Sequence, residues 1–236
     1  MDAKTITIEE HKNSLSSKTK NKLFDKNGYL VIRDLIDPQE LYCEVPEERG
    51  ILHYYGSLTN YRHDPIENQV DGSISRYSYP PYKEFFYTIK KNLESIIGEQ
   101  LYPTYYFDRF YFPGQELKKH VDRPSCEISV TVNIRSNLED PWPIWIKTPD
   151  EYSDDSKKEI VKKGENRSVI LHPGDGMVYK GCERPHWRGP MPGVRRNKIR
   201  KFFKKEELFY HQVFFHYVLA NGNRAHFCID NDWSDF

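Results

Sequence analysis

The chain has 236 residues, 35 Lys and Arg against 35 Asp and Glu, and an aromatic content of 14% that includes 17 Tyr and 13 Phe. That length suits one domain with appendages and is ample for a core, and the balanced charge supplies no global field toward nucleic acid or a membrane surface. Cys43, Cys126, Cys182 and Cys228 are widely scattered, without the spacing of a disulfide frame or a zinc knuckle.

The cysteines therefore read as reduced thiols in a cytoplasmic protein. The opening MDAKTITIEEHKNSLSSKTK is polar and carries no signal-peptide pattern, and no apolar run approaches a membrane span. Residues 1–8 read as a loose arm. A charged helix is expected over 9–26, with Leu15 and Leu23 as apolar points and Asn27-Gly28 ending it. Tyr29–Ile36 is the first convincing strand. Asp37-Pro38 then places a cap and a proline at the start of a short helix. Residues 43–78 show no period and read as an irregular excursion, on the surface or as a lid on the substrate side. Pro80–Ile97 has amphipathic spacing and closes on Gly98.

After residue 100 the texture becomes that of strands. Leu101–Phe112, Cys126–Ile134, Trp142–Ile146, Ser168–Leu171, Gly176–Tyr179 and Phe209–Leu219 are short β-branched or aromatic runs separated by Gly, Pro and Asp. Such a series predicts an antiparallel barrel or sandwich with the upstream helices packed on it. The expected organisation is one structural domain, with residues 1–100 as a supporting region and 101–236 as the barrel. Residues 149–159 form a polar excursion. Residues 195–205, RRNKIRKFFKK, hold seven Lys or Arg in eleven positions. They read as a helix with solvated charges, or as a phosphate-contacting patch that leaves a nucleic-acid partner open.

Between two of these runs lies His120-Val121-Asp122. Residues i and i+2 of an extended strand share a face, so an imidazole and a carboxylate at this spacing can grip one ion from one side. Two His and one carboxylate on one face, with other positions open, suit a non-haem Fe(II) site. His186 is the best third ligand, after the Pro173-Gly174-Asp175-Gly176 turn and a short strand. His172, His211 and His216 compete for that place.

The ordered set Phe112-Pro113-Gly114, His120-Val121-Asp122, Glu127–Asn133, Pro173-Gly174-Asp175, His186 and Gln212–Val218 resembles the Fe(II)/2-oxoglutarate-dependent oxygenases, and among them the prolyl-hydroxylase-like group. The resemblance covers 101–220 well and 28–41 loosely. It implies a mainly β fold with flanking helices, a double-stranded β-helix of the jelly-roll or cupin-like kind. It also implies Fe(II) held by His120, Asp122 and His186, 2-oxoglutarate as cosubstrate, O2 as oxidant, ascorbate as a reductant, and hydroxylation of a small molecule or a protein side chain. A non-catalytic cupin-like barrel that holds a metal or ligand is the alternative. The family places an Arg or Lys on its last strand to pair with the distal carboxylate of 2-oxoglutarate, and Phe209–Val218 has neither. Arg188, two residues beyond His186, is the expected substitute, with Tyr111 as a hydroxyl donor and Arg109 as the next candidate. Arg123 and Arg196 complete the set of arginines near the motifs.

Overall fold

The computed structural model describes residues 5–7, 22–153, 159–193 and 207–228. Its first elements are β1 (Thr5–Thr7), α1 (Lys22–Asn27) and β2 (Tyr29–Arg33). The helix expected over 9–26 falls mostly outside the described residues. A 3₁₀ turn over Pro38–Leu41 starts as the sequence indicates, with the Asp37 side chain accepting from the Gln39 N–H at 2.9 Å.

The 43–78 stretch departs from the irregular excursion expected of it. It contains β3 (Gly50–Tyr54), β4 (Tyr61–Asp64) and β5 (Ile74–Tyr77), with β3 antiparallel to β4 and parallel to β5. These strands have four or five residues each, and β4 has no buried face to write an alternating pattern. Hydrogen bonds from neighbouring strands, rather than local pattern, make them strands.

A 3₁₀ turn at Pro80–Tyr82 then leads into α2 (Lys83–Ile97). Phe86, Ile89, Leu93, Ile96 and Ile97 fall on one stripe at steps of three and four, and all are buried. Gly98 ends the helix at φ +73°, in the left-handed region, with its N–H on Glu94 O. The remaining strands are β6 (Leu101–Tyr111), β7 (Leu117–His120), β8 (Ile128–Ser136), β9 (Ile144–Lys147), β10 (Glu151–Tyr152), β11 (Ile160–Lys162), β12 (Asn166–Val169), β13 (Gly176–Lys180), β14 (His186–Arg188) and β15 (Tyr210–Leu219).

They build two main sheets. The larger runs β1-β2-β13-β8-β15-β6-β5-β3-β4 and the smaller runs β12-β9-β14-β7, while β10 and β11 form a separate two-stranded antiparallel sheet. β2 and β3–β5 are thus hydrogen-bonded into the same sheet as the strands after residue 100. This is the mainly β architecture with flanking helices, a double-stranded β-helix.

Alternation along β8 and β15 decides what each face of the large sheet meets. Ile128, Val130, Val132 and Ile134, with Val213, Phe215 and Tyr217, join Leu30, Ile32 and the buried stripe of α2 in the main apolar cluster. The intervening Ser129, Thr131, Asn133, Gln212 and His216 are also buried. Successive strand residues face opposite ways, so these five point into the space between the sheets. The chain therefore buries two layers of different character: an apolar seam under α2 and a polar barrel interior. The interior is closed on one side by Tyr29, Val31, Ile144, Ile146, Met177 and Tyr179, which pack as a cluster of their own.

Candidate metal centre

His120 is the last residue of β7, and Asp122 lies just beyond the strand. The two are not consecutive same-face residues of one strand, as the spacing alone suggests. Instead the Asp122 N–H donates to Gly181 O at 2.9 Å, tying that residue to the turn after β13. His186 opens β14, which pairs antiparallel with β7 so that His186 stands opposite His120. Register across two strands, not sequence proximity, brings the second imidazole in. The ring centroids are 4.3 Å apart. Asp122 Oδ1 lies 3.5 Å from His120 Nε2 and 3.4 Å from His186 Nε2. One ligand atom from each of the three falls within 4.8 Å of the others.

Backbone carbonyls orient both rings. His120 Nδ1 is 2.8 Å from Lys118 O and His186 Nδ1 is 3.0 Å from Arg184 O. A carbonyl only accepts, so each Nδ1 carries hydrogen, and each Nε2, the nitrogen facing the carboxylate, is the one left to a metal ion. Asp122 Oδ2 accepts from the Ser129 hydroxyl at 2.8 Å. Gly181 makes room for that oxygen, because a Cβ there would stand 2.4 Å from Asp122 Oδ2 and 2.3 Å from Cys126 O. Burial alone would raise the Asp122 carboxyl, yet His186 and His120 hold it well below the usual carboxylate range. Burial pulls His186 down, and Asp122 more than reverses it, leaving that imidazole above its ordinary value. Two imidazoles, which give up any Nε2 proton to a bound ion, and one carboxylate converging from one side match the donor set that divalent iron takes in a facial triad.

The competing histidines stand outside this trio. His211 Nε2 is 2.8 Å from Asp108 Oδ2, inside a buried network where Arg76 and Tyr82 also hold that carboxylate. His172 is exposed beside the turn that Asp175 pins to Arg33. His216 lies near Asp122 but points its Nδ1 at Ser129 Oγ, 3.0 Å away.

A cavity of about 150 Å³ opens onto the three residues. Tyr105, Phe107 and Phe214 form an aromatic wall, with Phe107 and Phe214 stacked at 4.5 Å between centroids. The opposite side holds Gln69, which pattern reading missed because it lies in the loop between β4 and β5. Its amide nitrogen is 3.4 Å from His120 Nε2, and its carbonyl oxygen accepts from Arg109 at 2.8 Å.

The arginines divide clearly. Arg109 is buried and already ion-paired with Glu67 at 3.1 Å, and it also donates to Ser75 and toward the Tyr111 hydroxyl at 3.5 Å. Arg123 lies over the Tyr105 ring at 4.5 Å. Arg196 and the 195–205 segment lie outside the described residues. Arg188 is 1% exposed, and its guanidinium donates to Trp142 O at 2.5 Å, Gln212 Oε1 at 2.6 Å and Tyr210 OH at 3.2 Å. Among the described residues no carboxylate lies within 4.0 Å of it. Arg188 Nε and Gln212 Nε2 are buried donors without acceptors. Gln212 sits on the last strand, so Arg188 reaches from β14 to the strand that lacks its own cation. An unpaired buried cation beside two orphaned donors suits a bound carboxylate.

No family model and no curated protein matches the sequence. Solved structures do match. The non-haem α-ketoglutarate-dependent epimerase SnoN from nogalamycin biosynthesis superposes with a TM-score of 0.52 at 11% identity, over 88% of this chain and 82% of that one. A 2OG-Fe(II) oxygenase family oxidoreductase from Burkholderia pseudomallei gives 0.51 at 9% identity, over 92% and 95%. The fold is that of the 2OG-Fe(II) oxygenases. AviO1 from Streptomyces viridochromogenes Tue57 adds a TM-score of 0.50 at 10% identity, over 83% of this chain and 91% of that one. At such identity, the chemistry of this chain rests on its own residues.

Proposed function

We propose that the protein is an Fe(II)/2-oxoglutarate-dependent oxygenase that hydroxylates a small molecule or a protein side chain. The observation that carries this reading is the convergence of His120, Asp122 and His186, with both Nε2 atoms freed toward the carboxylate by backbone carbonyls. When bound, iron and 2-oxoglutarate supply oxidative decarboxylation of the cosubstrate to succinate and CO2, coupled to oxidation of a substrate C–H bond by O2. The remaining work belongs to the chain. His120, Asp122 and His186 hold the ion from one side, and Ser129 fixes the orientation of the Asp122 carboxylate. Arg188, supported by Gln212 and Tyr210, takes the distal carboxylate of 2-oxoglutarate. Tyr111, buried on β6 opposite Tyr210, adds a hydroxyl to that end of the barrel, and Arg109 braces the pocket through Glu67 and Gln69. The aromatic wall excludes water from the substrate side.

Anaerobically loaded protein given O2, with ascorbate as reductant, should convert 2-oxoglutarate to succinate slowly without added substrate. His120→Ala should lose both iron and this turnover while keeping its circular-dichroism spectrum, since the barrel has its own core. Iron retention without any succinate would instead support a barrel that holds metal and ligand without catalysis.

A further inference from the structure

A second set of ligand atoms lies against the first. One each from Asp122, Cys126 and His216 fall within 4.8 Å of one another. The tautomer of His216 follows from its neighbours. Ser129 Oγ lies 2.8 Å from Asp122 Oδ2, 3.1 Å from Cys126 O and 3.0 Å from His216 Nδ1. A hydroxyl has one hydrogen, and the carboxylate and carbonyl only accept, so His216 Nδ1 must donate to Ser129. That leaves His216 Nε2 with a bare lone pair. The residue is 3% exposed, lines the cavity, and its Nε2 has no hydrogen-bond partner. Cys126 is buried on the same cavity, with its sulfur 3.1 Å from the Tyr105 hydroxyl. A buried imidazole nitrogen left as a naked acceptor carries a desolvation cost that a Lewis acid would relieve.

We propose that Asp122, Cys126 and His216 form a second metal site, selective for a soft divalent ion such as zinc, that shares Asp122 with the iron triad. A thiolate, an imidazole and a carboxylate are a zinc donor set, and thiolate disfavours the harder ions. Metal–ligand bonds of about 2.0–2.3 Å in a tetrahedron set ligand atoms roughly 3.5 Å apart, so binding draws the three groups together and turns His216 Nε2 onto the ion. Binding displaces the Cys126 thiol proton to solvent, and the cavity leaves the fourth position to water. Because Asp122 serves both sets, zinc in this site draws the carboxylate from His120 and His186. That rivalry with iron rests on the proposed oxygenase reading, while the zinc site itself does not.

Cobalt(II), a spectroscopic stand-in for zinc, tests this on the full metal-free chain under anaerobic reducing conditions. Wild type should show a sulfur-to-cobalt charge-transfer absorption, and His120→Ala should keep it. Cys126→Ser and, as a check on folding, Cys126→Ala should lose it while still taking up cobalt at the histidine pair. His216→Asn keeps a donor near the Nδ1 position and removes Nε2. It should weaken cobalt at the thiolate site by more than the roughly 10–100-fold that a lost outer-sphere partner costs. No charge-transfer band in wild type at saturating cobalt overturns the proposal, and so does a band that survives both Cys126 variants. A band abolished by His120→Ala overturns it too, making Cys126 an extra ligand of a single centre. Loss of 2-oxoglutarate turnover leaves all these spectra unchanged, so the two readings fail separately.

Discussion

At the scale of single residues, this protein places its buried charges by partner. Asp108 is held by Arg76, Tyr82 and His211, and Arg109 by Glu67. Arg188 has only neutral acceptors among the described residues. Removing one partner of a buried charge pair costs about 3–5 kcal/mol. If 2-oxoglutarate is that partner, Arg188→Ala should raise the 2-oxoglutarate concentration needed for half-maximal succinate formation by at least about a hundredfold, since 1.4 kcal/mol is a factor of ten. Iron retention should stay as in wild type. An unchanged requirement would transfer the role to another cation. The same truncation at Arg109 acts differently, because it strands the Glu67 carboxylate and frees Gln69 from the cavity mouth.

At the scale of elements, α2 is the clearest case of sequence writing structure. Its apolar steps and its Gly98 cap are both local, and both are where the sequence puts them. Leu93 is wholly buried in the seam between this helix and the outer face of the large sheet. Leu93→Ala should lower unfolding free energy by about 2–5 kcal/mol, the range for a core leucine that leaves a cavity. Denaturant unfolding of the metal-free chain measures it, and iron uptake of the folded fraction should not change, because the triad lies on the other face. The strands between residues 43 and 78 are the opposite case. β3 and β5 lie parallel and β4 is a solvent-facing edge, so pairing with one another, and through β5 with β6, rather than residue alternation defines them.

At the scale of the whole molecule, stability should depend on pH through groups that the fold keeps from protonating. Burial pushes His211 below its ordinary value against the pull of Asp108, with Arg76 and Arg135 adding to the depression. The unfolded chain then takes up a proton near pH 6.5 that the folded chain refuses, so stability falls as pH drops through that region. Asp108 acts at lower pH. Burial would raise it, but Arg76 and His211 hold it below its ordinary value, so its contribution is present above about pH 4 and lost beneath. Urea midpoints of the metal-free chain should therefore decline from pH 7 to 5. His211→Asn should flatten that slope, by at most about 1.4 kcal/mol per pH unit for one proton. A slope unchanged in the variant would remove His211 as its source.

The amino-acid sequence by itself determined what is local: the stripe of α2, the β-branched runs after residue 100, the short interval between His120 and Asp122, and the turn carrying Asp175. Its ordered motifs also pointed to the double-stranded β-helix. Only the tertiary structure decided what depends on register between distant strands. It set His186 opposite His120, tied Asp122 to Gly181, carried Arg188 to Gln212 on the last strand, and swung Gln69 from a loop onto the cavity. It also withdrew His211 into the Asp108 network and left His216 Nε2 without a partner. A histidine in a strand reads the same from the chain whether it meets a carboxylate, a hydroxyl or an open cavity. Which of these it meets depends on the pairing of strands far apart in sequence, and hydrogen bonding and burial settle that pairing only when the sheets close.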